Sequence, residues 1–235
     1  MGADALTSPH AVPQEMRENA APVAFAIGRG LSFSRPALLV DAVRRGRPVI
    51  LCDDENRENE GDLVFAAEFS SANLVNLMIR QGGGLICAAL APSLVARFGL
   101  APMVAANQCP KGTAFTVSVD AARGVGTGIS ARDRALTIRL LGDTRTRPED
   151  LSSPGHIFPL AAREGLLAER QGHTEASVAL AQAADLTPAA AICEILDEEG
   201  EAMLRDALFG FARRHDILIG TVAALAAFGS PRAAE

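Results

Sequence analysis

Residues 53–62 read DDENRENEGD, six carboxylates and one arginine in ten positions, between two apolar runs, VILC (49–52) and LVFAA (63–67). Short apolar runs bounded by a turn are the pattern of strands buried on both faces. The stretch therefore commits the chain to two neighbouring core strands joined by a densely acidic loop. Like charges so close repel one another unless metal, arginine or full hydration compensates. Two readings stay open: a hydrated surface turn, as charge runs commonly are, or a loop built to hold a cation. The segment is not an EF-hand, because it lacks the twelve-residue ligand order with Gly at the sixth position and a closing Glu.

The rest of the chain alternates helix and strand patterns. SRPALLVDAVRRGR predicts a helix with Ser34 as N-cap, Pro36 in the first turn, Leu38, Leu39, Ala42 and Val43 on one face, and Gly46 at its end. Helices are expected over 71–80, 92–99, 130–141, 172–186 and 201–215, with Thr174 capping the fourth and Ser130 and Asp133 at capping-box spacing in the third. Strands are expected over 84–90, 156–162, 189–196 and 216–222, with period-two patterning over 113–120. Such interleaving indicates one α/β or α+β layered domain over 31–229. Residues 1–30 mix Pro, Ala, Glu and Gly without periodicity and read as a mostly disordered arm; 230–235 read as a flexible tail.

Composition narrows the function classes. A net charge of −6, with no Trp or Tyr, argues against a nucleic-acid partner, which needs a clustered basic face and stacking aromatics. No apolar run reaches the ~18–20 residues of a membrane span, and the first residues lack the order of a secretory signal, so a cytoplasmic protein is expected. Cys52, Cys87, Cys109 and Cys193 form no C-x-x-C pair, which fits reduced thiols. Of 22 basic residues only Lys111 is lysine, so amine catalysis has one candidate, in the turn-like CPKGT; the plainer reading is a solvated loop cation.

Two further segments carry chemistry. In RQGHTEAS a helix start offers N–H groups and a partial positive charge, and Arg170 and the Thr174 hydroxyl are placed to join them around a phosphate; the alternative is a plain cap with His173 packed. HTEAS is not the H-E-x-x-H zinc-protease motif. In AAAICEIL, Glu194 interrupts an apolar strand, as an acid with a raised pKa or as an edge residue facing water. Glu58, Glu60, Asp62, His173 and Glu194 together are hard oxygen ligands plus one imidazole, suited to Mg²⁺ or Mn²⁺ rather than structural zinc.

These residues resemble the 3,4-dihydroxy-2-butanone 4-phosphate synthase family of riboflavin biosynthesis. The resemblance is carried by DDENRENEGD (53–62), GTAFTVSVD (112–120), TGISARDRALTIR (127–139), PGHIFPL (154–160), RQGHTEAS (170–177) and ICEI (192–195), in order from about residue 31 to 225. It implies a single catalytic domain with a mixed sheet packed with helices, a homodimer with sites near the subunit interface, and conversion of D-ribulose 5-phosphate to L-3,4-dihydroxy-2-butanone 4-phosphate and formate. It also implies Mg²⁺ or Mn²⁺, two ions per site, with substrate completing the coordination. By resemblance Glu58 and His173 bind metal. Arg57, Glu58, Asp62, Thr113, Arg170, Gln171, Gly172, His173, Thr174 and Glu194 contact substrate, and Glu60, Asp62, His156, His173 and Glu194 serve turnover. Read alone, His156 is a turn residue and Cys87, which the resemblance puts near the site, a buried small hydrophobe. Ser153 and Ala179 depart from the family, which often has Arg and Asp there. Many relatives carry a fused GTP cyclohydrolase II domain; a chain of 235 residues is expected to lack it. A paralogue acting on another phosphosugar and a silent binding relative are the competing readings, and the intact acid cluster disfavours the second.

Overall fold

The computed structural model describes residues 32–229, so the expected arm at 1–30 and tail at 230–235 lie outside the described residues. The elements are α1 (Pro36–Arg44), β1 (Val49–Cys52), β2 (Gly61–Ala66), α2 (Ala72–Leu77), β3 (Cys87–Leu90), α3 (Pro92–Phe98), β4 (Val119–Ala121), α4 (Ala131–Leu141), β5 (Leu151–Ala161), α5 (His173–Ala183), β6 (Ala189–Glu194), α6 (Arg205–His215), β7 (Leu218–Thr221) and α7 (Val222–Gly229). No described helix is long and apolar enough to cross a membrane.

The seven strands form one mixed sheet in the order β4-β5-β3-β6-β2-β1-β7. β2 runs antiparallel to β1 and β6, and β3 antiparallel to β6, whereas β1–β7 and β3–β5 are parallel. The α/β layered fold with a mixed sheet, expected above, is the fold observed. Successive residues of the central strands enter two different cores. Leu63, Phe65, Ala88, Leu90, Ala191 and Cys193 pack with Met78, Ile138, Leu208 and Phe211 on one face. Val64, Ala66, Cys87, Ala89, Ala190 and Ile192 pack with Leu39, Val43, Leu180 and Leu225 on the other. Burial on both faces is why these strands read as unbroken apolar runs. α5 packs across Ala-rich β3 and β6, its Ala176, Val178 and Leu180 sharing one core with Ala89, Ala190 and Ile192.

Several local expectations are corrected. Ser34 does not cap α1: Arg35 stands at the N-cap position without a side-chain bond, and the Ser34 N–H instead donates to the carbonyl of Ile219 in β7. Thr174 does not cap α5: Gly172 is the N-cap and Thr174 is buried one residue inside the helix. His156 is a strand residue of β5 rather than part of a turn. The capping box of α4 forms by half. Ser130 accepts from Asp133 N, while the shorter Asp133 side chain accepts from Gly126 and Gly128 N–H groups. Of the period-two stretch 113–120 only Val119 and Asp120 lie in a strand, β4, and α6 begins four residues later than expected, at Arg205.

Candidate active site

The acidic loop is organised by its first residue. Asp53, its side chain fully buried, accepts from Glu60 N (2.9 Å), Glu58 N (3.1 Å) and Arg57 Nη1 (2.7 Å). One carboxylate thus takes up two loop N–H groups and a guanidinium, the role Asp plays in turns generally. Asn59, with φ 58°, lets the chain reverse into β2. Arg57 also pairs with Glu58, so the loop carries its own counter-cation. The hydrated-turn reading does not hold for its inner half, where Asp53 and Asp62 are buried.

The sheet register brings distant acids to the same place. Asp62 is the second residue of β2 and Glu194 closes β6, and the two are direct partners in the ladder. Both share a strand face with Val64 and Ile192, the face covered by α5. Here Arg57, Glu58, Glu60, Asp62, Glu194, Cys87, Thr113, Arg170, His173 and Thr174 line a cleft of about 200 Å³, walled by Phe115, Leu160 and Ile192. The Leu85 N–H donates to Glu194 Oε2 (2.9 Å) and fixes that carboxylate. Burial first, and then the Glu194 charge, hold Asp62 well above the ordinary carboxylate range. Glu60 is raised as well, by burial and then by Glu58 and Glu194. Burial pushes the Cys87 thiol up, with Glu194 adding to it, so it stays a neutral, buried wall of the cleft.

His173, at the first turn of α5, is buried, and burial depresses its pKa, leaving the neutral imidazole with a free lone pair. Its Nε2 and Asp62 Oδ1 are buried atoms without hydrogen-bond partners, an arrangement that costs stability unless something else occupies them. Among the described residues, Asp53, Glu58 and His173 can bring one ligand atom each within 4.8 Å of one another. Carboxylates plus one neutral imidazole fit an oxygen-preferring divalent ion such as Mg²⁺ or Mn²⁺. Asp53 was not singled out from sequence; its position at the head of the turn was the available signal.

Not every expected residue enters the cleft. Gln171 lines a separate apolar groove that also contains Ala179. Gly172 lies beneath Arg170, where a Cβ would fall 2.3 Å from Nη1. Lys111 lies outside the cleft and is exposed, as expected of a loop cation, and its Nζ donates to the Arg57 carbonyl. His156 stands outside the cleft of its own chain, with Nδ1 2.7 Å from Asp120 Oδ2 and its backbone N–H on Oδ1 (3.0 Å). Gly128 leaves room for that pair, because a Cβ there would meet Asp120 Oδ2 at 2.2 Å. Neither family departure touches the cleft. Ser153 donates to the Ser118 carbonyl (2.7 Å), and Ala179 lies in the groove.

Comparison with known proteins agrees with this geometry. The sequence model of the 3,4-dihydroxy-2-butanone 4-phosphate synthase family matches residues 38–228. The chain is 50% identical over 183 residues to the riboflavin biosynthesis protein RibBA of Salinispora arenicola, covering 78% of this chain and 44% of that one. It is 47% identical over 189 residues to the 3,4-dihydroxy-2-butanone 4-phosphate synthase of Wolinella succinogenes, covering 80% and 54%. It therefore spans about half the length of these curated relatives. A crystal structure of 3,4-dihydroxy-2-butanone 4-phosphate synthase in complex with two magnesium ions superposes with a TM-score of 0.81 at 39% identity, over 83% of this chain and 96% of that one. The Candida albicans synthase gives 0.79 at 40% identity, over 85% and 99%. Sequence and fold thus agree over most of the chain, which belongs to the 3,4-dihydroxy-2-butanone 4-phosphate synthase family.

Proposed function

We propose that the protein converts D-ribulose 5-phosphate to L-3,4-dihydroxy-2-butanone 4-phosphate and formate, a carbon–carbon lyase step of riboflavin biosynthesis, as a cytoplasmic homodimer using Mg²⁺ or Mn²⁺. The observation that carries the reading is the cleft itself, in which four carboxylates face a buried, neutral His173 whose Nε2 has no protein partner. Glu58 and His173 would hold the metal, two ions in all with substrate completing the coordination. When bound, the ions supply the positive charge that stabilises enolate-like oxygens as they develop.

The protein's own groups do the rest. Enolisation, loss of water, a carbon shift and hydrolytic release of formate each require proton movement. Asp62 and Glu60, both raised by burial and neighbouring acids, hold protons closer to neutral pH than ordinary carboxylates do. Glu194 sits opposite Asp62 with one oxygen anchored by Leu85, so its other oxygen keeps a fixed position for the sugar. Arg57, Arg170 and Thr113 supply donors at the rim for the phosphate and hydroxyls. His156, half-exposed and oriented by Asp120, serves the cleft of the other subunit in the dimer. That the Ser153 and Ala179 departures lie outside the cleft supports the synthase over a paralogue with another phosphosugar. Offering purified protein a panel of ketose and aldose phosphates tests this: formate should come from ribulose 5-phosphate alone, and faster release from another sugar would favour the paralogue.

A further inference from the structure

Arg170 is held at more points than contact with a phosphate would need. Its Nη1 pairs with Glu175 Oε2, its Nε donates to the Lys111 carbonyl (3.2 Å) and its Nη2 to Thr113 Oγ1 (3.2 Å). Glu175 is 1% exposed, and its second oxygen accepts the Arg163 N–H (3.2 Å). Both carboxylate oxygens are therefore committed, and Glu175 has no place among the groups that face the cleft.

The other partners of Arg170 belong to one segment, residues 107–113. That segment is also tied by Lys111 Nζ to the Arg57 carbonyl and by Arg163 Nη2 to the Gly112 carbonyl (3.3 Å). Asn107 braces it from within, donating to the Thr113 carbonyl (2.9 Å) and accepting from Cys109 N (2.8 Å). Thr113, at its end, lines the cleft. A guanidinium presents donors along two edges in a fixed fork, so anchoring one edge sets the direction of the other. Gly172 completes the arrangement: the fork lies across the α5 start where any Cβ would stand.

We propose that Glu175 is a positioning residue of the site, holding Arg170 so that its guanidinium ties segment 107–113 over the cleft and turns Thr113 into it. This rests on the synthase reading for its effect on turnover, but the tie itself does not depend on it. The motif R-x-G-H-T-E then has a mechanical sense: Arg170 is the strap, Gly172 the space it needs and Glu175 its anchor.

The test uses Glu175→Gln, which keeps the shape and loses the charge, and Arg170→Lys, which keeps a cation for Glu175 but has no fork. Hydrogen exchange of the peptide spanning 107–113 should accelerate at least about tenfold in both, with peptides of β2 and β6 unchanged. Cys109, the exposed thiol of that segment, gives a second signal. N–H groups of Thr113, Lys111 and Gly112 lower its pKa, so its reaction with Ellman's reagent should titrate at higher pH in the variants. KM for ribulose 5-phosphate should rise about tenfold or more with kcat changed less, since the strap orients rather than reacts. Unchanged exchange and thiol titration in a folded Arg170→Lys protein would overturn the proposal, even if Glu175→Gln fails to fold. Accelerated exchange with unaltered KM would overturn the positioning role. A parent protein that releases no formate would refute the synthase reading, and the exchange and thiol measurements would still decide the tie.

Discussion

Asp62 and Glu194 stand directly opposite each other across the β2–β6 ladder, two carboxylates where a sheet normally pairs apolar or oppositely charged side chains. Asp62 is buried, has an oxygen without a partner and is raised well above the usual carboxylate range. An ionised Asp62 opposite Glu194 therefore weakens the fold, and protonation of Asp62 or a cation between the two acids relieves that cost.

Asp62→Asn should therefore stabilise the metal-free protein at neutral pH while abolishing turnover. Because the folded state binds the Asp62 proton more tightly than the unfolded chain does, the cost is full above the folded pKa and vanishes below the unfolded value of ~4. The advantage of the Asn variant should shrink as pH falls toward 4, with about 2–4 °C in melting temperature for each 1 kcal/mol relieved. Equal melting temperatures across that range would contradict this.

Glu58→Gln and His173→Ala should each weaken Mn²⁺ binding by at least about tenfold, read from the free-ion electron paramagnetic resonance signal without substrate, and keep the fold. The depressed pKa of His173 adds a pH signature. An ordinary histidine loses its lone pair below pH ~6.5, whereas His173 should keep its own, so Mn²⁺ binding should persist through that pH and fail only lower. The same depression makes protonation of His173 oppose folding, so this group's contribution to stability falls as pH drops below ~6.5, opposite in sign to that of Asp62. Parent-like Mn²⁺ affinity in His173→Ala would remove it from the ligand set.

How much of this was legible in the sequence depended on distance along the chain. The acidic turn, the Glu194 interruption and the GHT helix start announced themselves because each is a local violation of a strong pattern. The buried strands were legible too, since β1 and β3 are apolar throughout and β2 and β6 are apolar apart from the ends that carry Asp62 and Glu194. What stayed hidden was pairing. That Asp62 meets Glu194, or that Glu175 anchors Arg170 while Arg170 reaches Thr113, follows from sheet register and loop docking, which local periodicity does not encode. The caps failed for a related reason: Ser34 and Thr174 are good cap residues by type, but the N-cap positions fall at Arg35 and Gly172, and the Ser34 N–H is taken by β7.

His156 offers a test of the dimer. If it serves the partner's cleft, His156→Ala and His173→Ala proteins are each inactive, but mixing and re-equilibrating them equally should restore about a quarter of parental activity, from hybrid dimers with one intact site. No recovery would place His156 in its own subunit's chemistry or outside it altogether.

Phe65, fully buried in the interior strand β2, tests the core independently of the site. Phe65→Ala should cost about 3–5 kcal/mol in urea or thermal unfolding. A loss under about 1 kcal/mol would mean that the sheet face is packed differently.

If this cleft, charged with a divalent ion, cleaves a pentulose phosphate, both products are directly observable. The most direct measurement follows formate and the four-carbon phosphate by NMR after purified protein meets D-ribulose 5-phosphate and Mg²⁺. Equal amounts of the two products should appear, stop on addition of excess chelator and resume when Mg²⁺ or Mn²⁺ is restored. Absence of formate, or its undiminished release in chelator, would contradict the account.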